Sequence, residues 1–197
     1  MSQEKDRKLK FFKNVFFALF LVCVIFLTTG ASSVTVPINA KKNAVWHNNM
    51  GLRYLKENNP RAAIECFKIS LGLNPNKEVS STVYNNLGNT YMQIGSYDLA
   101  QECFAAAIRF APMHFEYYKN LVASYSMQGQ LFEKLYEPEK VGNGMNDVVN
   151  GLIYIEMGEI DYGCIFLRDF ANKEPNLIIT PAIKQYVKEL TKLSDAK

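Results

Sequence analysis

Two stretches decide how this chain folds: Ala44–Lys77, AVWHNNMGLRYLKENNPRAAIECFKISLGLNPNK, and Ser81–His114, STVYNNLGNTYMQIGSYDLAQECFAAAIRFAPMH. Each is 34 residues long, and they carry Asn-Asn, Gly, Tyr, Ala, Glu-Cys-Phe and Pro at the same offsets. Within the second, Tyr84, Leu87, Gly88 and Tyr91 fall at i, i+3, i+4 and i+7, one face of a 3.6-residue period. Gly95-Ser96 then interrupts the helix, and Pro112 bounds a second helix. Each unit therefore reads as a helical hairpin. One hairpin cannot bury its own apolar face, so units of this kind stack on their neighbours.

These residues resemble the tetratricopeptide repeat, whose signature is W-x2-L-G-x2-Y, then A-x3-F, then P. The second unit has Tyr84 in place of Trp, then Leu87, Gly88, Tyr91, Ala100, Phe104, Ala107 and Pro112. The first has His47, Met50, Gly51, Tyr54, Ala63, Phe67, Ser70 and Pro75. In this reading the small Gly88 and Ala100 let the two helices cross closely, while Tyr91 and Phe104 fill the remaining volume.

The pattern weakens and then returns downstream. A third unit over 115–143 has Tyr118, Leu121 and Tyr125, but Lys134 and Pro138 stand where a small residue and an aromatic are needed. Its second helix is expected to be short. Counting from Gly144 restores the register over 144–177 through Gly151, Tyr154, Gly158, Gly163, Leu167 and Pro175. Phe170 takes the place of a small residue, so a splayed or differently packed fourth hairpin is expected. Residues 178–197 read as a capping helix, with Ile183, Tyr186, Val187, Leu190 and Leu193 on one face and Lys184, Gln185, Lys188, Glu189 and Lys192 on the other. The expected class is all-α: a solenoid of three to four helical hairpins over 44–177 with a C-terminal cap, behind an N-terminal hydrophobic helix.

Outside the repeats, residues 1–14 carry Lys5, Arg7, Lys8, Lys10 and Lys13 ahead of 13 unbroken apolar residues, Val15–Leu27. That order reads as a cytoplasmic basic segment followed at 15–31 by a transmembrane anchor or a secretory signal peptide. Residues 32–43 read as a linker. A single-pass membrane protein with an exported C-terminal domain is expected, or a secreted or periplasmic one after cleavage. Residues 41–197 hold 17 basic and 17 acidic side chains, a balance that argues against nucleic acid as a partner.

Chemistry is sparse. Cys66, Cys103 and Cys164, an odd number without a CxxC, suggest neither a disulfide framework nor a metal site, and no cofactor is implied. No nucleophile elbow, HExxH or phosphate loop appears, so no catalytic residue is assigned. By the family resemblance, ligands lie in the concave groove lined by the first helix of each repeat. The groove positions are then Asn48, Asn49 and Leu52, then Asn85, Asn86, Asn89, Met92 and Gln93, then Lys119, Asn120 and Ala123. Asn49, Asn86 and Asn120 share one repeat position and would form a ladder of amides able to hold a peptide backbone. The clamp by which some family members grip acidic peptide termini does not carry over, because Glu116 stands where a cation is required. The resemblance implies a non-enzymatic adaptor, assembly factor or chaperone-like protein of the cell envelope that binds a protein or peptide partner. The alternative is a self-associating structural module.

Overall fold

The computed structural model describes residues 43–135 and 145–195. The apolar run at 15–31 and the Gly142–Gly144 loop lie outside them. Nine helices occupy the described residues: α1 Ala44–Lys56, α2 Pro60–Gly72, α3 Lys77–Gln93, α4 Tyr97–Phe110, α5 Phe115–Gln128, α6 Leu131–Leu135, α7 Asn146–Glu156, α8 Ile160–Lys173 and α9 Thr180–Asp195. No strand occurs among these residues.

Local chemistry sets the helix starts. The side chains of Asn43, Asn59 and Asn76 accept hydrogen bonds from the backbone N–H groups of Trp46, Ala62 and Val79, and Pro60 opens α2. An Asn at this position satisfies one of the donors that a helix start leaves unpaired. Because Asn76 caps α3, that helix begins at Lys77, four residues before the start of the repeat unit read from the sequence.

The hairpin turns share one geometry. Asn58, Gly95, Gly129 and Gly158 all adopt positive φ, between 56° and 90°. They occupy the same place in four successive units. The N–H of the following residue returns to the carbonyl of Tyr54, Tyr91, Tyr125 or Tyr154 at 2.8–2.9 Å. This is the helix-ending motif that a left-handed residue permits. The third unit keeps the turn although its second helix, α6, has only five residues.

Each full hairpin is closed by a contact that demands glycine. A Cβ built on Gly51 would lie 2.5 Å from the Phe67 ring, and one on Gly88 would lie 2.6 Å from the Phe104 ring. Both rings are wholly buried. In the third unit Val122 occupies the glycine position and is itself fully buried; among the described residues its second helix spans only Leu131–Leu135.

Of the two arrangements expected for the fourth hairpin, splayed or differently packed, the structure has the second: a Cβ on Gly163 would fall 2.5 Å from the Gly151 carbonyl oxygen, so here backbone meets backbone. Phe170 is accommodated at the other end of the hairpin. In the first unit, Ser70 at this position donates to the Ala44 carbonyl at 2.7 Å, tying α2 to the start of α1. Phe170 is buried instead, in a cluster with Met145, Ile179 and Ile183, and α7 starts only at Asn146. α9 then lies along α8 with Ile183 and Val187 inward, while Leu193 stays exposed.

The expectation of a single-pass membrane protein with an exported domain is overturned here. Among the described residues no helix is long and apolar enough to cross a membrane. The longest, α3, has 17 residues and includes Lys77 and Glu78, whereas a span requires about 20 mostly apolar ones.

The closing contact makes a sharp stability prediction. Gly88→Ala should cost about 1–3 kcal/mol through overpacking against Phe104 and lower Tm by several degrees. Gly72→Ala should be neutral or stabilising by up to about 1 kcal/mol, because a Cβ there meets nothing within 4 Å. Thermal melts of the two variants measured side by side check the contrast.

Candidate functional site

The first helix of each hairpin places amides beside its neighbour's, but in a different register from the expected ladder. Asn86 Nδ2 donates to Asn48 Oδ1 at 2.9 Å, and Asn120 Nδ2 donates to Asn85 Oδ1 at 2.8 Å. In both cases the second Asn-position amide of one unit reaches back to the first Asn position of the unit before. Adjacent first helices are thereby held together by a repeated carboxamide bond. Asn48 is buried by this arrangement, and Asn85, Asn86 and Asn120 are half-buried.

Asn49 is not part of that series. It is exposed, as are Asn89 and Gln93, and the three make no hydrogen bond among the described residues. Beside them Leu52 is 37% exposed and Met92 half-buried. The expected groove residues therefore divide into amides engaged between helices and amides facing solvent with apolar neighbours.

At the third unit the groove meets α9, a neighbour that position along the chain does not reveal. Tyr186 packs edge-on against Phe115 with ring centroids 5.4 Å apart, and Lys119 Nζ sits 5.2 Å from the centre of the Tyr186 ring. Lys119 also pairs with Glu116 at 3.0 Å. A recess of about 130 Å³ lies here, its walls including Asn120, Ala123, Leu152, Glu156 and Tyr186. Lys119 is thus neutralised locally. The signal for Tyr186 was its place on the apolar face of α9, which reads as core alone.

The remaining candidates are structural. His47, at the signature Trp position, is fully buried against Trp46, and neither ring nitrogen has a hydrogen-bond partner among the described residues. Cys66, Cys103 and Cys164 are buried free thiols. Burial pushes all three upward, Cys103 to about 11 with a further push from Glu102. Raised pKa values keep these thiols protonated and poorly nucleophilic near neutral pH. Among the described residues no cluster of three or more His, Cys, Asp or Glu is placed to hold a metal.

Residues 81–113, covering α4 and most of α3, match the family model for the tetratricopeptide repeat. That segment is a tetratricopeptide repeat. The chain's fold is similar to solved structures of MamA. One is 22% identical with a TM-score of 0.47, covering 69% of this chain and 81% of its own. Another, residues 41 to the end of MamA from Desulfovibrio magneticus RS-1, is 16% identical with a TM-score of 0.46, covering 78% and 96%. No curated protein matches the sequence.

The amide pairs predict a measurable coupling. In a double-mutant cycle, Asn48→Ala and Asn86→Ala should each destabilise by about 1 kcal/mol, with a coupling of about 0.5–1.5 kcal/mol. Asn49→Ala combined with Asn86→Ala should be additive. Urea melts of the single and double variants separate the cases. The thiols provide a pH test. Because the folded-state value for Cys103 is raised, stability is present below the unfolded thiol value of 9.0 and is lost as pH rises towards about 11. In the native protein Cys66, Cys103 and Cys164 should resist a thiol-alkylating reagent at pH 8, read peptide by peptide in mass spectrometry, and react fully once it is unfolded.

Proposed function

We propose that this chain is a non-enzymatic adaptor that binds an extended peptide segment of a protein partner in the concave groove of its repeats. The observation that carries this reading is the set of solvent-facing amides without internal partners, Asn49, Asn89 and Gln93, flanked by Leu52 and Met92. A carboxamide can donate to a peptide carbonyl and accept from a peptide N–H, so it engages backbone without reading sequence. Leu52 and Met92 then offer contact to aliphatic side chains; Met in particular adapts to irregular shapes. Asn48, Asn85, Asn86 and Asn120 serve the groove indirectly, by fixing the spacing of its helices. Lys119, Asn120 and Ala123 form its far end, where Tyr186 narrows it.

Helical-hairpin repeats supply large surfaces for protein–protein contact, which supports the general role. The test is selection of binders from a random peptide library on the full chain, followed by titration. The Asn49→Ala/Asn89→Ala/Gln93→Ala variant should melt normally and bind the selected peptides about five- to a hundredfold more weakly, as unpaired peptide groups imply. Equal affinity for variant and wild type would contradict the assignment of the groove.

A further inference from the structure

A second concavity, larger than the one in the groove, lies between α8 and α9. It has a volume of about 280 Å³, an apolar floor of Leu167, Ala171 and Val187, and a rim carrying Arg168, Lys184 and Lys188. No carboxylate lines it. None of the three cations makes an ion pair or hydrogen bond among the described residues. Three like charges around one apolar cleft repel one another, and no ion pair among the described residues offsets that repulsion.

The place of this cleft in the solenoid indicates the shape of what would fill it. Inside the stack, the cleft between the second helix of one unit and the first helix of the next is filled by the next second helix. Cys103 of α4 packs in one cluster with Ala63 and Phe67 of α2 and with Val83 and Leu87 of α3. α8 and α9 pack against each other as α2 and α3 do. Counting the repeat from 178 places Lys184 and Lys188 where α3 has Leu87 and Tyr91, the residues that pack in the clusters containing α4. The slot is therefore helix-shaped. Its floor is apolar, but its rim is cationic where the internal slots are apolar.

We propose that the α8–α9 cleft receives an acidic amphipathic helix of a protein partner, seated as a second helix would be in a further repeat. Apolar side chains on one face of that helix would cover Leu167, Ala171 and Val187. Glu or Asp residues flanking that face would pair with Arg168, Lys184 and Lys188. Closure of this cleft is independent of the concave groove and does not require it to be occupied.

The test uses the full chain and three synthetic helices of roughly 20 residues, long enough to be helical in water. They share a Leu stripe at i, i+3, i+4 and i+7 and differ only in flanking residues: Glu, Gln or Lys. The Glu helix should bind at least about tenfold more tightly than the Gln helix, and the margin should shrink as salt is raised. Lys184→Glu/Lys188→Glu should invert the preference towards the Lys helix, while Lys184→Gln/Lys188→Gln should remove the preference without inverting it. The Asn49→Ala/Asn89→Ala/Gln93→Ala variant should bind the Glu helix as wild type does, which separates this site from the groove. Equal binding of Glu and Gln helices, no binding of any of the three, or an unchanged preference in the charge-reversed variant would overturn the proposal. So would sedimentation showing that Lys184→Glu/Lys188→Glu abolishes self-association of the chain, or vesicles of anionic lipid that displace the Glu helix from the cleft.

Discussion

The contact on which the rest depends is a ring lying on a helix backbone. Phe67 on Gly51 and Phe104 on Gly88 fix how closely the two helices of a hairpin approach, and neither leaves room for a Cβ. That distance sets where each hairpin presents its outer surfaces to the next. Only with adjacent first helices so placed does the Asn86 amide come within 2.9 Å of Asn48, and Asn120 within 2.8 Å of Asn85. Protein interiors are close-packed and resist small volume changes, so a constraint inside one hairpin is transmitted to the spacing of the groove. The third and fourth units solve the same problem differently. One has Val122 at the glycine position, and the other brings Gly151 and Gly163 together.

Functionally, the consequence is a division of labour among chemically identical side chains. Asn48, Asn85, Asn86 and Asn120 are consumed, in part, in holding helices together. Asn49, Asn89 and Gln93 are not. Charge is divided in a similar way. Lys119 is compensated by Glu116 and covered by the Tyr186 ring, whereas Arg168, Lys184 and Lys188 remain uncompensated around an apolar floor. On the proposed reading the molecule offers an amide-rich groove and a cationic cleft near its last helix, which would take different partners: a backbone-exposing extended chain in one case, an acidic helix in the other.

Much of the fold was legible because the repeat writes itself into residue types. Gly88 and Ala100 are small for a steric reason, and Tyr54, Tyr91, Tyr125 and Tyr154 mark one repeat position, each ahead of a turn that closes on its backbone carbonyl. Asn58 was harder to recognise as the equivalent of Gly95, since Asn tolerates the left-handed conformation without advertising it. The amide pairs were not legible. Sharing a repeat position suggested Asn49, Asn86 and Asn120 as a ladder, but position within a unit does not say which residue of the previous unit stands opposite. The contact of Tyr186 with Phe115 was hidden for the same reason. Phe170, a large residue at a small position, signalled a splayed or differently packed hairpin but not which; the later start of α7 is what makes room for it. The expectation of a membrane span rested on the basic residues of 1–14 and the apolar run after them, and none of the helices among the described residues has the length or apolarity to support it.

Native-state hydrogen exchange followed by mass spectrometry addresses the central claim, that ring-on-glycine hairpins form the rigid framework from which the recognition surfaces project. Amides within α3, α4 and α5 should exchange slowest and together, through opening of the whole stack, while α6 exchanges by local opening because it lacks the closing contact. In Gly88→Ala, protection should fall across α3 and α4 and also in α1, whose Asn48 depends on the placement of Asn86. If Gly88→Ala left protection in α3 and α4 unchanged, or if α6 were as protected as α4, the hairpin crossing would not be what holds this structure together.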